Sequence, residues 1–283
     1  MKSNNDTPLI TVIVAVFNAE TTVRQCLNSF TEQTYQKKQL IVIDGGSKDS
    51  TVEIIKDYHD VIDYWISEPD SGIYNAWNKG LKHARGKWIY FLGADDFLWD
   101  KDVLTKVSDS LIHVPDSIRV VYGQVNYIST SDRFLYTQGQ PWSLIGKKYK
   151  QLMTIPHQGV MQRRELFKDH GDFDESFKIA GDYEFLLREL KDHPAVFIHT
   201  IVAAMRQGGV SNDNSNSLRI IRELRKAQIK NDIFIPGPFW LLALIRVYLR
   251  IFIWRLLGEK LARKLLDIGR SIIGKPAHWT KNL

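Results

Sequence analysis

Trp88–Phe97 reads WIYFLGADDF. Trp88, Ile89, Tyr90, Phe91 and Leu92 form a short unbroken apolar run rich in aromatic side chains, the pattern of a strand buried on both faces. Gly93 and Ala94 follow, small enough to let a bulky ligand approach the backbone, and then two adjacent carboxylates, Asp95 and Asp96. Asp suits a turn or a helix cap after such a strand. Two carboxylates at the carboxyl end of a buried strand also stand where open α/β sheets bind ligands. Oxygen ligands there suit a hard cation, Mg²⁺ or Mn²⁺, with phosphate oxygens filling the other positions. The pair alone leaves both readings open.

Working outward, Leu9–Phe17 (LITVIVAVF) and Leu40–Ile43 are further apolar runs, the second ending at Asp44, and Val61–Ser67 is a weaker strand. Between them, Thr21–Phe30 carries Val23, Leu27 and Phe30 at helical spacing. A helix with Val52, Ile54 and Ile55 follows GGSKDST, and Gly72–Ala84 reads as a third. Strand–helix repeated three times predicts a mostly parallel sheet with helices on both faces. The second half is more mixed. Asp102–His113 and Tyr183–Leu190 read as helices; Arg119–Ile128, His157–Arg163 and Val196–Ala203 as strands; Asp132–Lys150 as a loop-rich stretch with room for one hairpin.

The 283 residues suffice for one large α/β domain plus an appendage. A single cysteine, Cys26, excludes an internal disulfide and a cysteine zinc site and permits a reducing compartment. The polar start, MKSNNDTP, is expected to be disordered over residues 1–8 and lacks the apolar core of a secretory signal. Of 38 basic and 32 acidic residues, 14 and 4 lie from Arg219 onward, leaving 24 and 28 before it. The net charge of +6 therefore belongs to the tail, and a nucleic-acid footprint over the main domain is not supported.

Three acidic groups, Asp44, Asp70 and Asp95–Asp96, end segments of the first half and fall along one edge if the sheet is parallel. Carboxylates at such an edge can accept hydrogen bonds from a nucleobase or a ribose. Neither GxGxxG nor GxxxxGK[ST] occurs, so phosphate binding must rest on a metal, on basic side chains or on helix N-termini.

Six blocks follow one another at residues 9–212: ITVIVAVFNAE, IVIDGGSKDST, SEPDSGIYNAWNKGLKHARGKWIYFLGADD, PHQGVMQRRELF, GDFDESFKIAGDYEFLLREL and RQGGVS. In kind and order they resemble glycosyltransferase family 2, with its GT-A fold. The long third block most resembles the branch that builds bacterial O-antigen, capsule and exopolysaccharide. The resemblance implies a catalytic domain over 9–215, with a nucleotide-sugar half at about 9–100 and an acceptor half at about 101–215. It places Ala15, Phe17 and Asn18 around the base, Asp44 on the base edge and Asp70 on base or ribose. It puts Asn75, Asn78 and Lys79 beside the nucleotide, Asp95 on ribose or sugar, and Asp96 on the metal and diphosphate. Asp182 matches the acidic residue that acts as base, with Glu184 as competitor because this chain reads GDYE. His157 is a candidate for metal, diphosphate or acceptor binding, since imidazole suits Mn²⁺. Gln158, Arg163 and Arg206 are candidates on the acceptor or diphosphate side, and Trp142 and Tyr149 for shaping the acceptor side or packing the core. Where many members carry an acidic pair after the second strand, this chain has Asp44–Gly45.

The implied reaction is an inverting, metal-dependent sugar transfer from a nucleotide diphosphate sugar, expected to be UDP-linked. The implied acceptor is a lipid-linked oligosaccharide. A sugar-1-phosphate nucleotidyltransferase would show a Gly- and Arg-rich loop after the first strand, which VFNAET lacks; a non-catalytic binding module would not need both Asp96 and Asp182. The tail, 216–283, has its most apolar stretch at Ile233–Leu257, interrupted by Arg246, Arg250 and Arg255. That is a poor membrane span but fits an amphipathic helix in the membrane interface. Docking on the catalytic domain or on a second subunit is the alternative. The expectation is a peripheral protein on the cytoplasmic face of the membrane.

Overall fold

The computed structural model describes residues 7–208, 216–272 and 280. The N-terminal segment expected to be disordered, up to residue 6, and the RQGGVS block beyond Gly208 lie outside the described residues.

Four parallel strands form the first half of a nine-stranded mixed sheet: β1 (Ile10–Val16), β2 (Lys38–Asp44), β3 (Tyr64–Ser67) and β4 (Trp88–Gly93). The helices between them are α1 (Val23–Thr31), α2 (Thr51–Lys56) and α3 (Ile73–Leu81). The second half adds β5 (Phe97–Leu98), α4 (Val103–Ile112), β6 (Val120–Ile128), β7 (Phe134–Gln138), α5 (Trp142–Tyr149), β8 (Val160–Arg163), α6 (Glu165–His170), α7 (Gly181–Leu190) and β9 (Val196–Arg206). The sheet order is β3-β2-β1-β4-β8-β6-β9-β5, with β7 hairpinned on β6. In the second half β8, β7 and β5 pair antiparallel with their neighbours, and β6 and β9 are parallel.

The apolar runs are buried on both faces, as their unbroken pattern requires. Along β4, Ile89 and Phe91 pack on the face covered by α3 and α7, and Trp88, Tyr90 and Leu92 on the face covered by α1 and α4. Register sets the functional edge: Val16 stands beside Asp44, Ala15 beside Gly93, and Asp44 beside Ser67. All the acidic strand ends expected from the sequence therefore share one edge.

Two readings need correction. Residues 142–149 are helical rather than loop; Pro141 precedes the helix and Ile145 and Tyr149 are buried. His157–Gly159 is a 3₁₀ turn, and the strand begins only at Val160.

The tail is two helical segments. In α8 (Ser217–Lys230), Ile221, Leu224 and Ala227 join the same buried cluster as Ile13, Ile43 and Tyr183. In α9 (Pro238–Ile272) the chain kinks at Gly258, whose φ of 69° is left-handed. No helix among the described residues is long and apolar enough to cross a membrane.

Candidate active site

Asp44 ends β2 fully buried. Its carboxylate accepts from the backbone N–H of Gly46 (3.1 Å) and Ser47 (3.0 Å) and from the hydroxyls of Ser47 (2.5 Å) and Ser67 (2.6 Å). A carboxylate has about four acceptor positions. Three of these bonds fall on Oδ2 and one on Oδ1, so most of the Asp44 carboxylate is engaged by its own turn and by β3. It acts on the pocket wall: the Ser47 hydroxyl accepts the Asn18 N–H (2.8 Å), and the Asn18 side chain accepts the Lys48 N–H (2.9 Å). That lock holds Asn18 at a left-handed φ of 46° and leaves the Phe17 ring 62 % exposed at the edge, beside half-buried Ala15. Asp70 accepts the Gly72 N–H (2.9 Å), and its other oxygen lies 2.6 Å from where a β-carbon on residue 45 would stand. Asp70 therefore occupies the space of the acidic side chain that Gly45 lacks.

Asn75, Asn78 and Lys79 are spent on protein partners. Asn75 donates to Glu175 (3.0 Å), and Asn78 donates to Glu175 (3.0 Å) and the Phe173 carbonyl (3.0 Å). Lys79 pairs with Glu68 (2.8 Å) and donates to the Pro69 carbonyl (3.0 Å). These bonds fasten α3 to its surroundings. Arg163 is placed still further off. It pairs across from Trp88, at the start of β4, with its guanidinium over the Trp88 ring (4.7 Å), hydrogen-bonded to the Ile118 carbonyl (2.8 Å) and paired with Asp116 (3.1 Å). The site lies at the other end of that strand.

At that end, Asp95 and Asp96 turn over Gly93. A β-carbon on Gly93 would meet Asp95 Oδ1 at 2.9 Å and Asp96 Oδ2 at 3.0 Å, so one oxygen of each carboxylate converges on the space the glycine leaves. Burial pushes the Asp96 carboxyl well above the usual carboxylate range, and neighbouring Asp95 adds to the push; the Arg206 N–H (3.0 Å) and the Gln158 side chain oppose it. The Arg206 side chain braces this turn rather than facing a diphosphate. It donates to the Asp95 carbonyl (3.4 Å) and Gln25 (2.6 Å) and pairs with Asp132. Cys26 lies beneath, its thiol held up by burial and by both aspartates, which excludes a nucleophilic role.

The second component is a cavity of about 340 Å³ lined in part by His157, Gln158, Asp182, Tyr127, Met153 and Leu224. Asp182 is the second residue of α7; Ala180 holds the N-cap position. Burial raises the Asp182 carboxyl, while His157 lowers it. Asp182 Oδ1 accepts the Tyr183 N–H (2.8 Å), and the Tyr74 hydroxyl stands 3.5 Å away. Glu184, the competing base, is fully buried and paired with Arg188 (2.5 Å) and Lys230 (3.1 Å), away from the cavity. His157 is buried, stacked on Trp77 (5.0 Å) with Gln162 at 3.3 Å, and its imidazole is driven toward the neutral form by burial. The described residues contain no group of three or more His, Cys, Asp or Glu able to hold a metal, so the structure leaves His157 outside any cluster with the aspartate pair. Tyr149, packed on Trp142 and Tyr183, is core rather than acceptor surface.

The sequence reading missed Tyr74, Glu175 and Glu223, the side chains that hold these pieces together; no local spacing announces partners about 40 to 110 residues away.

The sequence profile described as "Glycosyl transferase family 2" matches residues 11–171. The chain belongs to that family. A Mycobacterium tuberculosis relative named "PGL/p-HBAD biosynthesis glycosyltransferase" is 31 % identical over 212 residues, covering 72 % of this chain and 80 % of the relative. An uncharacterized glycosyltransferase of the same organism is 30 % identical over 246 residues, covering 86 % and 90 %. Among solved structures, this glycosyltransferase is similar to Staphylococcus aureus TarS in complex with UDP, with a TM-score of 0.57 and 20 % identity over 77 % of this chain and 64 % of that one. It is also similar to the mannosyltransferase PcManGT of Pyrobaculum calidifontis in complex with GDP-Man and Mn²⁺, with a TM-score of 0.62 and 19 % identity over 91 % and 74 %. Those likenesses show the GT-A fold expected from the sequence.

The residues of the glycosyltransferase fit a divalent cation at the Asp95–Asp96 turn. The chain supplies two convergent carboxylate oxygens in a cradle that any β-carbon would fill, and an all-oxygen set completed by phosphate or water is what Mg²⁺ or Mn²⁺ favours.

Proposed function

We propose that this glycosyltransferase transfers a sugar, with inversion, from a nucleotide diphosphate sugar to a hydroxyl of a lipid-linked acceptor. The observation that carries the proposal is Gln158. Its side chain is near enough to Asp96 to favour the ionised carboxylate, and it also lines the cavity that holds Asp182, so one residue borders both the donor turn and the acceptor cavity. The ends of β1 and β2 offer Phe17 and the Asp44 turn to a base, and Asp70 to base or ribose. A divalent cation held by Asp95 and Asp96 supplies, when bound, positive charge opposite the departing diphosphate. Asp182 takes the proton of the acceptor hydroxyl as that oxygen attacks the anomeric carbon. A carboxyl raised by burial suits that role, because a base works best with a pKa nearer the working pH.

The membrane-facing part of the proposal rests on α9. Leu241, Ile245, Tyr248, Phe252 and Leu256 form an exposed apolar stripe, continued past the kink by Leu261, Leu265 and Ile268. Arg246, Arg255, Lys260 and Lys264 accompany it. An aromatic, basic, amphipathic helix suits an anionic membrane interface, which supports a peripheral site on the cytoplasmic face, beside a lipid-linked acceptor. The test has two arms. UDP- and GDP-sugars with Mn²⁺ and membrane acceptor should yield nucleoside diphosphate; no release with any donor contradicts the transfer. Deleting Pro236–Leu283 should abolish sedimentation with anionic vesicles; a truncated chain that still sediments contradicts the membrane role of α9.

A further inference from the structure

Asp182 is the second residue of a helix that has no side-chain cap of its own. Helix N-termini leave several backbone N–H groups without partners. Here those of the N-cap Ala180 and of Gly181, with the two N–H groups before them, are taken by two side chains from distant elements. Glu223, buried on α8, accepts the N–H of Ala180 (2.9 Å) and Ile179 (2.9 Å) on one oxygen, and the N–H of Lys178 at 3.2 Å from each oxygen. Arg219, one turn earlier on α8, balances its charge at 3.2 Å. The Tyr74 hydroxyl accepts the Gly181 N–H (2.8 Å) and donates to the Ile179 carbonyl (2.7 Å). Residue 181 has to be glycine for this, because a β-carbon there would lie 2.7 Å from the Tyr74 ring. Four successive N–H groups, 178 to 181, are thus bound up to the residue before Asp182.

We infer that Glu223 is a positioning residue: its carboxylate fixes the Lys178–Ala180 backbone and through it aims Asp182 into the acceptor cavity. The inference rests on the reading of Asp182 as base. Hydrogen bonds to an ionised acceptor are short and directional, so three of them on one carboxylate define the path of the chain. The same α8 wall sends Leu224 into the cavity, and on its α9 side the Ile221 carbonyl accepts the Trp240 indole N–H (3.2 Å). The base and the apolar tail therefore share one support. A plain helix cap would also place a carboxylate at this N-terminus, but loss of a cap lowers stability and leaves turnover per folded molecule unchanged.

The test measures steady-state transfer by the full chain, per folded molecule judged by circular dichroism, for Glu223→Ala, Glu223→Gln and Asp182→Asn. Misplacing a reacting group by about 1 Å costs on the order of 10²-fold. Glu223→Ala is expected to lower kcat by about 30- to 100-fold with the donor KM within about twofold, since this segment meets the donor side through the Lys178 side chain on the Ser71 carbonyl (3.0 Å), whereas Glu223 holds the backbone. Glu223→Gln keeps one acceptor oxygen and is expected to lose only about three- to tenfold. If Glu223→Ala does not fold, Glu223→Gln decides. Parental kcat in the Glu223 variants beside an inactive Asp182→Asn overturns the positioning role and leaves the base assignment standing. A donor KM that rises in step with the loss also overturns it. A parental rate in Asp182→Asn overturns the base assignment, and this inference with it.

Discussion

Two turns on the same sheet edge use aspartate in opposite ways. After β2, Asp44 is buried and takes four hydrogen bonds from its own neighbourhood. After β4, Asp96 is equally buried but is crowded by a second carboxylate, and its proton affinity is raised. The contrast extends to the helices. Glu184 and Glu189 are buried and matched by arginines, whereas partly buried Asp182, beside them on α7, has no ion-pair partner among the described residues and its carboxyl is raised, burial outweighing the Tyr183 N–H and His157. A buried acid that the protein satisfies is scaffold. One that the protein leaves wanting a proton or a cation is where chemistry is set up.

The sharpest break in that comparison is Asp182→Asn. Removing a positioned base should lower transfer by roughly 10²–10⁴-fold, with nucleotide-sugar affinity near parental by calorimetry. Glu184→Gln should instead lose stability and keep turnover per folded molecule. The reverse pattern would move the base to Glu184.

Next in size is Asp44→Ala. It strands the Gly46 and Ser47 N–H groups and the Ser67 hydroxyl and should cost about 2–4 kcal/mol in denaturant melts. Donor binding should weaken only as the turn loosens. A variant as stable as the parent would show that Asp44 is not scaffold.

Gly93→Ala sharpens the other turn. Its methyl would press on both aspartate oxygens. It should reduce Mn²⁺-dependent donor affinity by about tenfold, or about 1.4 kcal/mol, with little change in apo stability. Unchanged affinity would remove the cradle.

The smallest effect concerns pH. Burial raises the folded pKa of Asp182 above its unfolded value, so the folded chain holds that proton more tightly. The stability this gives is present below the unfolded pKa and is lost as pH rises through the folded pKa. Asp182→Asn should thus melt at or slightly above the parent at neutral pH, with the gap narrowing as pH falls. A gap that widens on acidification would contradict the assignment.

The sequence carries the donor half because its signals are local. Unbroken apolar runs mark β1, β2 and β4, and parallel pairing then forces their acidic ends onto one edge. The acceptor half depends on long-range partners. Asn75 and Asn78 sit where the family pattern puts nucleotide contacts, yet their amides are taken by Glu175. Arg163 is close to His157 in sequence but lies at the far end of its strand pair. The 142–149 helix did leave a trace, Pro141 ahead of apolar residues 142, 145 and 149, masked by the polar stretch before it. Glu223 left none, since its basic neighbours gave the tail its character.

The central claim is that the Asp95–Asp96 turn trades stability for donor binding. The most direct measurement is the melting temperature of parent and Asp96→Asn, each without ligand and with Mn²⁺ plus UDP. A ligand that binds only the native state raises apparent stability. The account predicts that Asp96→Asn melts at or above the parent without ligand, and that Mn²⁺ plus UDP raises the parent alone. An Asp96→Asn variant that melts lower than the parent yet gains the same shift with Mn²⁺ plus UDP would contradict it.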